Sequence, residues 1–225
     1  MVAAYDEAER IGATIAALSG AFPGAPVWVA DDGSADATPA LAREAGARVW
    51  RSERVIGKGA AMTATARAAV EELAGSEDAG ARPPVFVLCD GDLADSAAAL
   101  GPLASAVEEG RAELAVAVFS RRIGGGLGLA LGFARWAIRR RCGFQARAPI
   151  SGQRALSAAA LADVLPFAEG YGMEVGMTID AVRAGRRVVE IELDLSHRPS
   201  GRTLGGFVHR GRQLVDFVRA YRARA

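Results

Sequence analysis

Residues 84–92 read Pro-Val-Phe-Val-Leu-Cys-Asp-Gly-Asp. An unbroken apolar run from Val85 to Cys89 suits a strand covered on both faces, as in a parallel sheet. It stops at two carboxylates, Asp90 and Asp92, either side of Gly91. The same arrangement occurs twice upstream: Val27–Ala30 runs into Asp31-Asp32-Gly33-Ser34, and Met1–Ala4 into Tyr5-Asp6-Glu7. Arg48–Trp50 and Glu113–Phe119 are two further strand candidates. Between the strands lie Ala-, Leu- and Glu-rich stretches that read as helices: Glu7–Leu18, Ala35–Ala45, Ala60–Ala74 and Ser96–Glu109. This alternation predicts an α/β fold with three layers around a mostly parallel sheet. Such sheets bind ligands beyond the carboxyl ends of their strands, which gathers the acidic turns around one crevice.

Several carboxylates in one crevice repel one another unless a cation or hydrogen-bond donors compensate. A hard divalent ion, Mg²⁺ or Mn²⁺, bridging to a substrate diphosphate would do so. Helix capping accounts for Ser34, Asp36, Asp95 or Ser96, but leaves Asp31, Asp32, Asp90 and Asp92 unexplained. The first strand is short, so it is expected either at a sheet edge or behind a start codon lying upstream.

The 225 residues are 51% hydrophobic and 24% charged with a net charge of +1, which suits one domain spanning 1–225. This balance excludes a disordered tail or a disulfide scaffold and gives no global attraction to nucleic acid. Cys89 and Cys142 match no metal or redox spacing, and Cys89 reads as a small buried hydrophobe. With no signal-peptide pattern and no long apolar run, a cytoplasmic location is expected. Of 27 basic residues, 26 are Arg and one is Lys58. A GC-rich genome explains the arginines; it leaves the single lysine, between Gly57 and Gly59, as a question.

The charge is unevenly spread. No Asp or Glu occurs from Leu114 to Ala162, where Arg121, Arg122, Arg135, Arg139, Arg140, Arg141, Arg147 and Arg154 all fall. The Arg-rich helix there, with Trp136, fits a peripheral position on an anionic membrane. It equally fits a solvated helix packed on its own domain. Beyond it come a loop (Gln145–Gln153), a helix near Glu174–Ala184, a strand near Val188–Leu195 and a final helix from about Leu204.

Other α/β motifs fail on spacing. A Walker-type phosphate loop would need glycine where Ser52 stands, Gly124–Gly128 fits no G-x-G-x-x-G register, and G-x-S-x-G is absent. What the residues do resemble is glycosyltransferase family 2, inverting enzymes of the GT-A fold. The resemblance rests on Ala3-Ala4-Tyr5-Asp6-Glu7, Asp31–Asp36, Gly57-Lys58-Gly59, Asp90-Gly91-Asp92, Ser151-Gly152-Gln153-Arg154, Gly170–Glu174 and His197–Arg202. Within the family the chain is similar to polyprenyl- or dolichyl-phosphate sugar synthases and to glucosyl-3-phosphoglycerate synthases. It departs from the usual pattern at Ala3, where Pro is common, and at Asp6, where Asn is common.

The resemblance implies a nucleotide-sugar half (1–119) and an acceptor half (120–225). Tyr5, Glu7, Asp31 and Asp32 would line the nucleotide, and Asp90 and Asp92 would form the D-x-D metal signature. Lys58 and Arg202 would approach the diphosphate as cations. Gln153, Arg154, Arg121 and Arg122 would face an anionic acceptor, and Glu174 is the candidate base, against the plainer reading of a first-turn Glu favoured by the helix dipole. His197 either completes the metal shell or is a solvated loop histidine. The expected activity is transfer from a nucleoside diphosphate sugar to a phosphorylated acceptor, chiefly a polyprenyl phosphate. The alternatives are a soluble phosphoglycerate acceptor, a nucleotide-sugar-binding protein with lost catalysis, and, more remotely, a nucleotidyltransferase.

Overall fold

A computed structural model describes residues 1–75, 83–120, 129–195 and 204–224. The strands are β1 (Val2–Ala4), β2 (Trp28–Asp31), β3 (Arg48–Arg51), β4 (Val85–Asp90), β5 (Leu114–Phe119), β6 (Arg154–Ser157) and β7 (Val188–Leu193). The helices are α1 (Ile11–Ala21), α2 (Thr38–Glu44), α3 (Lys58–Ala74), α4 (Gly101–Glu108), α5 (Leu129–Cys142), α6 (Ala158–Val164), α7 (Met173–Arg183) and α8 (Leu204–Ala223). Tight 3₁₀ turns over Ala94–Leu100 and Gly170–Gly172 lead into α4 and α7.

The seven strands form one sheet in the order β3-β2-β1-β4-β6-β5-β7, parallel except for β6. The expected three-layer α/β sheet is therefore present, with two corrections. β1 is no edge strand: Val2 pairs with Val29 on one side and Cys89 on the other. β6 and α6 appear where the sequence predicts neither, because Arg-Ala-Leu-Ser followed by alanines lacks the β-branched signature of a strand.

The antiparallel strand matters for function. Parallel strands deliver their exits to the ligand edge, whereas β6 delivers its entrance. Leu88 pairs with Arg154, so Asp90 and the residues just before β6 face each other. Apolar clusters pack on the layers: Ile11, Ile15, Leu100 and Leu103 belong to one, Met62, Leu161, Met173 and Met177 to a second. A third, with Ala134, Ile138, Val175, Ile179 and Phe217, joins α5, α7 and α8. Cys89 is buried as expected, and burial pushes its thiol up to about 12. Among the described residues no helix is long and apolar enough to cross a membrane.

Candidate active site

The carboxyl edge of the sheet opens into a cleft of about 2680 Å³. Tyr5, Glu7, Asp32, Lys58, Asp90, Asp92, Gln153 and Glu174 all line it. Their convergence follows from the topology: β1, β2 and β4 end there, α3 and α7 begin there, and β6 enters there.

At the centre is Lys58. Its Nζ donates to Asp90 Oδ1 at 2.6 Å and to Glu174 Oε1 at 2.7 Å. Gln153 Nε2 donates to the other Asp90 oxygen at 2.8 Å. Burial works against the ammonium, but the charges and hydrogen bonds of Asp90 and Glu174 outweigh it and hold its pKa above the ordinary lysine range. Glu174 is only 5% exposed, so its carboxylate meets this cation in a largely water-excluded pocket.

Glycine makes the approach feasible. Gly57 has φ +94°, a left-handed value that lets the chain turn into α3. At Gly59 a Cβ would overlap the carbonyl oxygen of Ala168, so the helix packs backbone to backbone. At Gly152 a Cβ would stand 2.6 and 2.8 Å from the Asp90 oxygens and 2.9 Å from Lys58 Nζ. Gly152 lies two residues before Arg154, which pairs with Leu88 two residues before Asp90, and this facing placement leaves no space for a side chain.

The aspartates after β2 divide their work. Asp32 lines the cleft and accepts from the Ile56 amide at 2.7 Å and from the Gly57 amide at 2.9 Å, holding the turn that presents Lys58. Burial raises its pKa, against the pull of those amides. Asp31 does not reach the cleft lining. It is fully buried, with Oδ1 taken by the Ser34 amide and hydroxyl and Oδ2 facing Arg51 Nε at 3.1 Å outside hydrogen-bond geometry. Asp31, expected among the donor contacts, is thus held inside the fold by Ser34 and faces Arg51, away from the cleft lining.

Arg154 needs the same correction. Its guanidinium is 1% exposed and is not part of the cleft wall. Nε donates to Ser151 O at 2.8 Å and Nη1 to Thr178 Oγ1 at 3.0 Å. Burial pulls its pKa down to about 10. The strand places it on the sheet face toward α7, away from the cleft wall. Arg121, Arg122, His197 and Arg202 lie outside the described residues.

Asp92 closes the strand-end turn. Arg10 Nη1 donates to its carbonyl at 3.2 Å, and Thr14 Oγ1 to that of Gly91 at 2.8 Å. Among the described residues no group of three or more His, Cys, Asp or Glu could hold a metal by itself. Asp90 and Asp92 nonetheless fit a hard ion of the Mg²⁺ type, which takes one or two carboxylates and completes its shell with water and substrate phosphate.

Further residues of the cleft were not singled out as ligands in the sequence. Trp136 lines the cleft half exposed, backed by Phe133 and Tyr221 at ring distances of 5.4 and 5.0 Å. Asp216, on α8, also lines the cleft. A usable signal existed, because Asp216 is the only acid from Leu195 to the last residue.

The sequence profile described as Glycosyl transferase family 2 matches residues 1–151. No curated protein sequence matches. Among solved structures, glucosyl-3-phosphoglycerate synthase from Mycobacterium tuberculosis with phosphoglyceric acid is 27% identical at a TM-score of 0.75, covering 99% of this chain and 78% of that one. The same enzyme with Mn²⁺, UDP-glucose and glycerol 3-phosphate is 26% identical at a TM-score of 0.71, covering 97% and 78%. Its complex with Mg²⁺ and UDP is 27% identical at 0.72, covering 97% and 77%.

Proposed function

The chain belongs to glycosyl transferase family 2, and we propose that it transfers a sugar, with inversion, from a nucleoside diphosphate sugar to a small phosphorylated acid. The observation that carries this reading is the contact of Lys58 with Asp90 and Glu174 at the carboxyl edge of the sheet. One cation joins a strand-end carboxylate on the donor side to a candidate base on the acceptor side. Support comes from the Mycobacterium tuberculosis relatives, which bind UDP-glucose with Mn²⁺ and take glycerol 3-phosphate or phosphoglyceric acid.

In this reading Tyr5, Glu7 and Asp32 line the nucleotide, and Asp90 and Asp92 hold a divalent ion. When bound, that ion supplies neutralisation of the charge that develops on the departing diphosphate. Glu174 takes the proton of the acceptor hydroxyl as its oxygen bonds to the anomeric carbon. The bond to the diphosphate breaks, and its electron pair leaves with the nucleotide. Lys58 orients Glu174 and Asp90 together, and Gln153 holds the second Asp90 oxygen. Arg202 is proposed as a partner of the donor diphosphate, Arg121 and Arg122 as partners of the acceptor phosphate, and His197 as a further metal ligand.

A second reading keeps the donor site and substitutes a polyprenyl phosphate at an anionic membrane surface. It draws on the acceptor wall, where half-exposed Trp136 and exposed Ile150 accompany Arg135 and Arg139. Thermal-shift titration with UDP- and GDP-sugars, with and without Mn²⁺, identifies the donor because binding stabilises only the folded chain. Transfer is then assayed to 3-phosphoglycerate and to polyprenyl phosphate in anionic vesicles. Turnover with the soluble acid and no vesicle binding supports the first reading; the reverse pattern supports the second. Tight donor binding without transfer to either acceptor would identify a binding protein instead.

A further inference from the structure

We propose that Asp216, on the last helix, is a positioning residue for Glu174: it fixes the Gly170–Gly172 turn from which Glu174 enters the cleft. The role given to Glu174 above is its premise.

The geometry is a stack of three backbones. On one side of residues 168–172 lies the first turn of α3, where Gly59 packs on the Ala168 carbonyl and a Cβ on Gly57 would stand 3.5 Å from the Gly170 nitrogen. On the other side lies α8. The Tyr171 amide donates to Asp216 Oδ2 at 3.2 Å. Gly170 has φ +53°, and a Cβ there would collide with the Asp216 carboxylate. A Cβ at Gly172 would stand 2.9 Å from both the Asp216 carbonyl oxygen and Ala220 Cβ.

Lys58 is the first residue of α3, and Glu174 the second of α7. The distance between their side chains therefore depends on how tightly residues 168–172 are held between the two helices. Asp216 holds that segment by a charge-assisted bond to an amide at the start of a helical turn. The far end of α8 is tied independently. Arg224 Nε donates to both Asp180 oxygens at 2.8 Å, and Gly176 leaves room for its guanidinium. Two fastenings to the α7 side leave α8 little freedom to slide, so its position is transmitted to Glu174.

The test compares Asp216→Ala with Asp216→Asn, which keeps a carbonyl acceptor of similar reach. Misplacing a reacting group by about 1 Å can cost on the order of a hundredfold. Asp216→Ala should lose at least about tenfold in kcat while its affinity for UDP with Mn²⁺ stays within about twofold. Asp216→Asn should recover to within about threefold of the parent kcat. Amide exchange across 170–176 should quicken in the alanine variant and not in the asparagine variant. If Asp216→Ala does not fold, Asp216→Ser, too short to reach the Tyr171 amide, should show the same losses. Unchanged kcat and exchange in the alanine variant would overturn the proposal. So would an asparagine variant equally impaired and weakened for UDP, which would make Asp216 a ligand contact. Should the parent chain transfer no sugar, the premise fails separately, and exchange across 170–176 decides the clamp.

Discussion

Lys58 Nζ lies 2.7 Å from Glu174 Oε1, a contact between residues 116 positions apart. Because the same ammonium also meets Asp90 at 2.6 Å, the two carboxylates are held as neighbours instead of repelling each other. The pocket that holds the ammonium is bounded by backbone at Gly152, where even a Cβ would crowd it, so its size matches a compact cation.

Lys58→Arg should therefore fail although it keeps the charge. A planar guanidinium is broader than an ammonium and would press on Gly152, which already leaves no room for a methyl group. Turnover should drop by roughly a hundredfold, with binding of UDP and Mn²⁺ weakened as well. Steady-state kinetics and calorimetric titration check both, and full activity would return the lone lysine to codon bias.

Gly152→Ala probes the same pocket from the opposite wall. The atoms nearest the added Cβ are side-chain ends, the Asp90 oxygens and Lys58 Nζ, so the fold should survive. The contacts among Lys58, Asp90 and Glu174 should not. The expected result is a loss of about tenfold or more in kcat with a small change in Tm. A crystal structure of the variant with those contacts intact, and normal turnover, would contradict it.

Arg154→Met separates a scaffold role from an acceptor role. The change strips partners from buried Ser151 O and Thr178 Oγ1, which should cost roughly 2–3 kcal/mol. For a chain of this length that lowers Tm by about 4–12 °C. Acceptor KM should change less than Tm implies; a raised KM with unaltered Tm would restore the acceptor contact.

The acidic strand ends of β1, β2 and β4 were legible because each signal there is local: an apolar run, then acids, at a strand exit. Asp32, Lys58, Asp90 and Glu174 line one cleft. Asp31 and Arg154 were misplaced for one reason. A strand alternates its faces, and motif matching does not say which face a residue takes. Gly152 and Asp216 act through backbone clearance between distant segments, which no periodicity encodes. β6 escaped because alanine and arginine carry little strand preference, and pairing decides the outcome.

Acid stability should report Glu113, which ties the start of β5 to the turn before β7. It accepts from the Arg187 amide at 2.9 Å and from Arg186 Nη1 at 3.1 Å, and these bonds, the amide foremost, hold its pKa below the ordinary glutamate value of 4.5. A depressed pKa stabilises the fold above the unfolded value and loses that contribution as pH falls through the folded one. Glu113→Gln should thus be less stable than the parent near neutrality, with the gap closing below about pH 4.5. Denaturant melts at pH 7 and pH 3 measure it; a gap equal at both would show that the ionised carboxylate contributes nothing.

Removing the two D-x-D carboxylates one at a time should give different outcomes. The Asp92 turn is fastened through backbone carbonyls, by Arg10 and Thr14, so truncating its side chain leaves that fastening in place. Asp92→Ala should keep Tm within about 2 °C while Mn²⁺-dependent turnover falls on the order of a hundredfold or more. Asp90→Ala removes the shared partner of Lys58 and Gln153 and leaves a largely buried ammonium with Glu174 alone. It should lose turnover and Tm together. Mn²⁺-stimulated activity persisting in Asp92→Ala would remove Asp92 from the metal site, and Tm falling equally in both variants would mean that the turn depends on its side chains.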